Sequence, residues 1–175
     1  MKHQIVRRLT PADAADYRAL MLEAYAIVPD AFTSSVAERA ALPLQWWKSR
    51  ISEAADAPEL VCGAFLADEL AGVAGLRFGQ RERTKHKSTL FGMFVRPRCR
   101  GEGVARALVA EILGLAERSP ATEVVQLTVT ESNVPAVRLY ESCGFETFGT
   151  EPFAVKLGDR FITKLHMWYR IGTTT

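Results

Sequence analysis

The stretch Arg100-Gly101-Glu102-Gly103-Val104-Ala105 constrains this chain more than any other. It lies between a strand-like apolar run, Leu90–Val95, and a helix-like run, Ala105–Glu117. Two glycines on such a turn remove Cβ atoms where the first helical N–H groups have no intrahelical partner, so the backbone offers several donors to an anion. The spacing limits which anion. A P-loop needs a Lys and a hydroxyl directly after its last glycine, and nothing after Gly103 supplies them. A dinucleotide fingerprint needs three glycines as G-x-G-x-x-G, and here the sixth position is Arg106.

A second block lies downstream, from Asn133-Val134-Pro135-Ala136 through Leu139-Tyr140 to Gly144-Phe145. Together the two blocks resemble the GNAT superfamily of acetyl-CoA-dependent N-acetyltransferases. The first family signature is a hydrophobic strand ending in Val followed by [QR]-x-x-G-x-[GA], matched by Met93-Phe94-Val95 and then Arg100, Gly103 and Ala105. The second is N-x-x-A-x-x-L-Y-x-x-x-G-F, matched at Asn133, Ala136, Leu139, Tyr140, Gly144 and Phe145. The match is good from about Leu60 to Phe148.

The resemblance implies an α+β (mixed α/β) fold: a central, mostly antiparallel mixed sheet of six to seven strands, flanked by about four helices and splayed at the strand ending in Val95. It implies one acetyltransferase domain over 1–175, with a catalytic core at about 60–153 and N-terminal helices at about 11–55 forming part of the acceptor site. Acetyl-CoA would serve as donor, without a metal. Its pantetheine would pair with the backbone of Met93 and Val95, an added-strand mode with a general physical basis. Its pyrophosphate would rest on Gly101, Glu102, Gly103, Val104, Ala105 and Arg106, with Arg100 opening the loop. Asn133 would hydrogen-bond pantetheine, a strand amide near Phe94 or Val95 would support the oxyanion, and Tyr140 would protonate the leaving thiolate. A tyrosine with a pKa near ~10 keeps that proton at neutral pH.

The general base is where the chain departs from one branch of the family. Acetyltransferases of ribosomal-protein N-termini carry a Glu five positions before the Asn, and here that position is Thr128. Neutralising a free lysine at pH 7 costs about 4.6 kcal/mol, against roughly 1 kcal/mol for an α-amino group. The substitution therefore leaves a low-pKa amine, a water chain, or another residue such as Glu131, Glu82 or His166. Phe32, Trp46, Trp47, Phe153 and Trp168 suggest a partly aromatic acceptor wall, and no acid cluster announces a polycation. The reading is thus N-acetylation of a small-molecule, amino-acid or peptide amine by direct attack in a ternary complex. The competing reading is a non-catalytic acyl-CoA sensor on the same fold. Dimers are common in the superfamily.

Length and charge agree with that reading. At 175 residues and 48% hydrophobic the chain is the size of one domain with a full core. A net charge of +2 gives no argument for nucleic acid, although Arg77, Arg81, Arg83, Lys85, His86, Lys87, Arg96, Arg98, Arg100 and Arg106 crowd one third of the sequence, where some could face the phosphates of CoA. The N-terminal residues are too short and polar a run for a signal peptide. No apolar run approaches the ~20 residues of a membrane span, so the expected location is cytoplasmic. Cys62, Cys99 and Cys143 have the spacing of neither a metal site nor a disulfide framework.

Along the chain, Gln4–Leu9 reads as a strand. Thr10-Pro11-Ala12-Asp13 opens a helix running to about Ala26, and a second helical segment, interrupted near Pro43, spans about Ser35 to Ala55. Leu60–Leu66 and Leu70–Phe78 form a hairpin across Asp68-Glu69, with Gly72 and Gly75 allowing a bulge or close approach. Lys87–Val95, the helix Ala105–Glu117, the strand Val124–Thr130 and a short helix Asn133–Ser142 capped by Ser132 or Asn133 follow. Phe145–Phe153 and Phe161–Arg170 close the sheet, and residues 173–175 read as a frayed tail.

Overall fold

The computed structural model describes residues 4–172; the tail at 173–175 lies outside the described residues. The elements are β1 (Gln4–Arg8), α1 (Ala14–Ile27), α2 (Val36–Ala40), α3 (Leu44–Arg50), β2 (Glu59–Leu66), β3 (Glu69–Phe78), β4 (Lys87–Val95), α4 (Val104–Glu117), β5 (Val124–Thr130), α5 (Val134–Ser142), β6 (Glu146–Leu157) and β7 (Arg160–Arg170). Single 3₁₀ turns stand at Pro11–Asp13, Pro29–Ala31 and Pro97–Cys99. The seven strands form one sheet in the order β1-β2-β3-β4-β5-β7-β6, antiparallel throughout except for the parallel pair β4–β5.

Apolar groups pack on both faces of this sheet. One cluster joins Leu108 and Ile112 of α4 to Cys62, Leu76, Val125 and Met167, while the other joins Tyr17, Leu20, Trp47 and Ile51 to Val61 and Val73. Successive residues of β2 therefore enter opposite cores, which is why its central run is buried without alternation. No described helix is long and apolar enough to cross a membrane.

The expected elements form, with three differences. The 35–55 segment is two short helices ending at Arg50, because Pro43 supplies no N–H and only Trp47 and Ile51 find a core face; Leu44 remains 42% exposed. The β2–β3 turn sits one residue earlier than expected, on Ala67 and Asp68, whose φ values of 48° and 65° match the paired positive angles of a two-residue hairpin. β6 runs on to Leu157 past an irregularity between Glu151 and Val155 that contains Pro152, a residue tolerated on an edge strand. β3 carries an extra residue beside Gly72, where Leu70 and Gly72 face the consecutive residues Phe65 and Ala64 of β2, and a Cβ at Gly72 would fall 2.8 Å from the Phe94 carbonyl oxygen, while one at Gly75 would fall 2.4 Å from the Phe91 ring.

Candidate active site

The only parallel pairing in the sheet is short, and the site follows from that. β4 and β5 pair from Lys87–Val124 to Thr89–Gln126 and no further. Two residues of β3, Val73 and Gly75, then face a three-residue step of β4, Phe94 to Phe91, so β4 carries an extra residue. Gly92 lies in that step with φ +61°, a left-handed angle that suits glycine. The remainder of β4 and β5 part, and a cavity of about 380 Å³ opens between them.

Met93, Asn133 and Tyr140 all border this cavity. α5 brings the last two together. Asn133 caps the helix, its Oδ1 accepting from the Ala136 N–H at 3.3 Å, which uses its oxygen and leaves the amide group to donate. Tyr140 lies two turns on, 7% exposed, its ring edge-on to Phe145 at 5.8 Å, and its hydroxyl donates to Met93 Sδ at 3.3 Å. Burial raises the Tyr140 pKa well above that of an ordinary phenol, with Cys143 adding a little in the same direction. The hydroxyl is held protonated.

The glycine turn lies just beyond the end of β4. Gly101 and Gly103 have φ of +82° and +79°, and both would have open space around an added Cβ. Glycine is thus required there for its backbone angle. Gly103 is the N-cap of α4, so the N–H groups of Val104, Ala105 and Arg106 open the helix as unpaired donors. Val104 is buried, anchoring the turn, while Arg100, Glu102 and Arg106 are exposed. Arg100 Nε donates to the Val95 carbonyl at 3.2 Å, and Arg106 Nη2 to Ser142 Oγ at 2.8 Å, tying the N-terminus of α4 to α5. Phe94 turns its side chain into the core on the α1 side.

Much of the arginine cluster is committed elsewhere. Arg96 pairs with Glu23 at 2.9 Å and Glu69 at 3.0 Å, Arg98 with Glu69, and Arg77 with Glu59 at 2.9 Å. Of the five aromatics expected in an acceptor wall, Phe32 alone borders the cavity. Trp47 is packed inside against Tyr17, and Phe153 is 72% exposed at the irregular point of the edge strand. Tyr17, Tyr25 and Phe91 take the places of the others. The candidate bases also fall away from the cavity: His166 Nε2 meets Glu151 Oε2 at 2.7 Å, and neither His166, Glu82 nor Glu131 borders the cavity, whereas Thr128 does. A larger, open hollow between the loop at 82–86 and residues 120–123 sits at the opposite end of β4 and has no reactive side chain paired for chemistry.

Sequence reasoning missed the charges of this wall. Arg39 and Arg50 from α2 and α3, Arg77 from β3 and Lys164 from β7 all border the cavity, and no carboxylate or histidine does among the described residues. Lys164 is 5% exposed, and its Nζ donates to Thr130 Oγ1 at 2.9 Å, the Ala31 carbonyl at 3.1 Å and the Asp30 carbonyl at 3.2 Å. Desolvation lowers its pKa, opposed by the charges of Asp30 and Glu151. The available signal was a lysine two residues after Ile162 on the buried face of a strand. For Arg39 and Arg50 there was no local signal, because surface arginines on short helices are commonplace.

Comparison with known proteins shows the family and the fold. The sequence model described as "Acetyltransferase (GNAT) family" matches residues 21–145. The L-amino acid N-acetyltransferase AaaT of Escherichia coli (strain K12) is 30% identical over 114 residues, covering 65% of this chain and 68% of that protein. A GNAT-family acetyltransferase from Streptococcus pneumoniae superposes with a TM-score of 0.83 at 25% identity, over 97% of this chain and all of that one. The fold also matches yncA from Salmonella typhimurium, solved with its cofactor acetyl-CoA, at a TM-score of 0.78 and 17% identity over 99% of this chain and 96% of that one.

Proposed function

The chain belongs to the GNAT acetyltransferase family and is an acetyl-CoA-dependent N-acetyltransferase, and from that premise we propose that it acetylates the amine of a small molecule or amino acid by direct attack in a ternary complex. The observation that carries this reading is that Met93, Asn133 and Tyr140 meet in one cavity at the parting of β4 and β5, with the glycine turn at the end of the same strand.

The donor fits the residues present. The turn offers unpaired amides and two positive-φ glycines with nothing crowding them, a cradle suited to a pyrophosphate. Met93 and Asn133 border the cavity, and the edge of β4 that β5 leaves unpaired beyond Thr89 is available to an extended pantetheine. Bound there, acetyl-CoA supplies an acetyl group activated as a thioester, whose C–S bond breaks, with the electron pair going to sulfur, as the amine nitrogen forms the amide. Tyr140 keeps a proton on its hydroxyl inside the cavity, ready for that sulfur. The wall offers no carboxylate base among the described residues, so the acceptor reacts as the neutral amine and gives its surplus proton to water, from which Tyr140 regains the proton it passes to sulfur. Arg39, Arg50 and Lys164 assist, because neighbouring cations disfavour an ammonium.

The relative that acts on L-amino acids supports an amino-acid acceptor here. Free Cys62, Cys99 and Cys143 suit the reducing cytoplasm, where we place the reaction. Thiol release from acetyl-CoA with a panel of amines tests the proposal. Turnover with a small amine is the expected result. A raised melting temperature with acetyl-CoA but no thiol release with any amine would mark a sensor instead.

A further inference from the structure

We propose that the acceptor carries a carboxylate next to its amine and an apolar side chain, the carboxylate being held by Arg39 with Arg50 beside it. This rests on the acetyltransferase reading above and narrows its substrate class to apolar α-amino acids.

The argument is electrostatic. Four cations border the cavity; Glu59, which does not border it, meets Arg50 at 3.2 Å and Arg77 at 2.9 Å, and the charges of Asp30 and Glu151 act on Lys164. Lys164 spends its three protons on the neutral oxygens of Asp30, Ala31 and Thr130. Among the described residues no carboxylate lies within ion-pair distance of Arg39, and its Nε is shut off from solvent without a hydrogen-bond acceptor. A half-buried guanidinium in that state gains strongly from an anion, and its flat fork matches a carboxylate.

Packing fixes where the charge sits. The Arg39 and Arg50 guanidinium carbons lie 4.7 and 4.9 Å from the centroid of the same Trp46 ring, and Arg50 also stands 5.2 Å from Phe91. Stacking holds both groups in place before any ligand arrives, although it gathers two like charges on one indole ring. An anion held by Arg39 offsets that repulsion. A polyamine would add to it.

The remaining wall selects the rest of the acceptor. Tyr25 and Phe32 pack edge to face at 4.9 Å, and with Phe91 and Met21 they give the cavity an apolar side opposite no acid. A volume of about 380 Å³ is at the small end of the ~300–1,000 Å³ of ligand pockets, and the donor's acetyl end shares it beside Met93, Asn133 and Tyr140, so the space left suits one amino acid better than a peptide.

The test uses acceptors matched in side chain: L-phenylalanine, L-phenylalaninamide and phenethylamine, with spermidine as a cationic contrast, each assayed by thiol release from saturating acetyl-CoA. L-phenylalanine should exceed both matched amines in kcat/KM by about 10- to 100-fold, the worth of one charge-assisted contact. The amide's lower amine pKa works against this outcome, so it is a stringent one. Arg39→Gln should raise the KM for L-phenylalanine by at least about tenfold more than it raises that for phenylalaninamide and leave the KM for acetyl-CoA within about twofold, with Arg39→Lys falling between. Equal or better turnover of the carboxylate-free amines, a preference for spermidine, or an equal rise in KM for all acceptors in Arg39→Gln overturns the proposal while leaving an active acetyltransferase. If no amine is turned over, calorimetry on CoA-saturated protein decides. N-acetyl-L-phenylalanine binding at least about tenfold more tightly than N-acetylphenethylamine, with that preference lost in Arg39→Gln, upholds the carboxylate site; no preference removes it.

Discussion

Replacing Tyr140 by Phe separates its proton from its packing. The ring stays: its edge contact with Phe145 at 5.8 Å and its 7% exposure do not depend on the hydroxyl. What is lost is one hydrogen bond to a thioether, Tyr140 Oη to Met93 Sδ at 3.3 Å, a weak acceptor. The fold should therefore change by less than about 1 kcal/mol, or roughly 2–4 °C in Tm for a chain of this size. Acetyl-CoA affinity, measured by calorimetry, should stay within about twofold. The rate should not. A positioned general acid contributes about 10²–10⁴-fold, so kcat should fall by that factor, about 2.7–5.4 kcal/mol of barrier. Burial raises the Tyr140 pKa, so in the wild type the loss of activity at high pH should begin above pH ~10, the ordinary phenol value, and this limb should vanish in Tyr140→Phe. A kcat within about threefold of wild type, with acetyl-CoA bound normally, would refute the assignment.

Three further outcomes test the structure. Gly103→Val puts a β-branched residue at φ +79°, costing about 1–3 kcal/mol locally; acetyl-CoA should bind at least about tenfold more weakly by calorimetry, while an unchanged Kd would show that the turn does not cradle it. Lys164→Met takes the donor from the Ala31 carbonyl and should lower stability by about 1–3 kcal/mol at pH 7 in urea unfolding. Since Lys164 has a folded pKa below its unfolded ~10.5, the wild type binds fewer protons than its unfolded chain as pH rises toward that value, and the gap to Lys164→Met should widen with pH; a gap that narrows would refute the shift. Cys62, fully buried, has its pKa pushed up to about 12 by desolvation, so its contribution is fully present below pH ~9 and is lost at about 1.4 kcal/mol per pH unit as pH rises from there. Cys62→Ala should flatten the fall in urea midpoint between pH 9 and 10, and a midpoint curve parallel to wild type would count against it.

What the sequence made legible was local in the chain. The motif from Met93 to Ala105, between β4 and α4, and the α5 block each fit within a dozen or so residues, so their glycines, cap and tyrosine could be read as patterns with fixed offsets. The β2–β3 hairpin could be read for the same reason, but its turn could not be fixed to the residue, because Ala67 and Asp68 tolerate positive φ only under the demand of the register between β2 and β3. The order of the sheet beyond neighbouring hairpins was not legible; the family resemblance implied only a mostly antiparallel mixed sheet splayed at the strand ending in Val95. The cavity wall was the least legible part. Phe32 was anticipated, but Arg39, Arg50 and Lys164 come from three elements more than 100 residues apart at the extremes, and only the folded sheet brings them together. Trp46 and Trp47 show the same limit: adjacent in sequence and both aromatic, one is a core residue and the other a platform for two guanidinium groups.

Thr128 takes on a different meaning once those cations are placed. A carboxylate at that position would border a cavity already holding Arg39, Arg50, Arg77 and Lys164, and it would be drawn into an ion pair with them, its pKa lowered and its basicity lost. A cationic wall and a carboxylate base are therefore poor neighbours. In the proposed reaction, with no carboxylate or histidine bordering the cavity among the described residues, proton removal would move to the binding step: the neutral amine would enter against less repulsion than the ammonium, and the cations would sustain that preference inside the cavity. The rate should then follow the acceptor's own amine pKa, rising tenfold per pH unit below it, since the titrating group belongs to the substrate and changes with it.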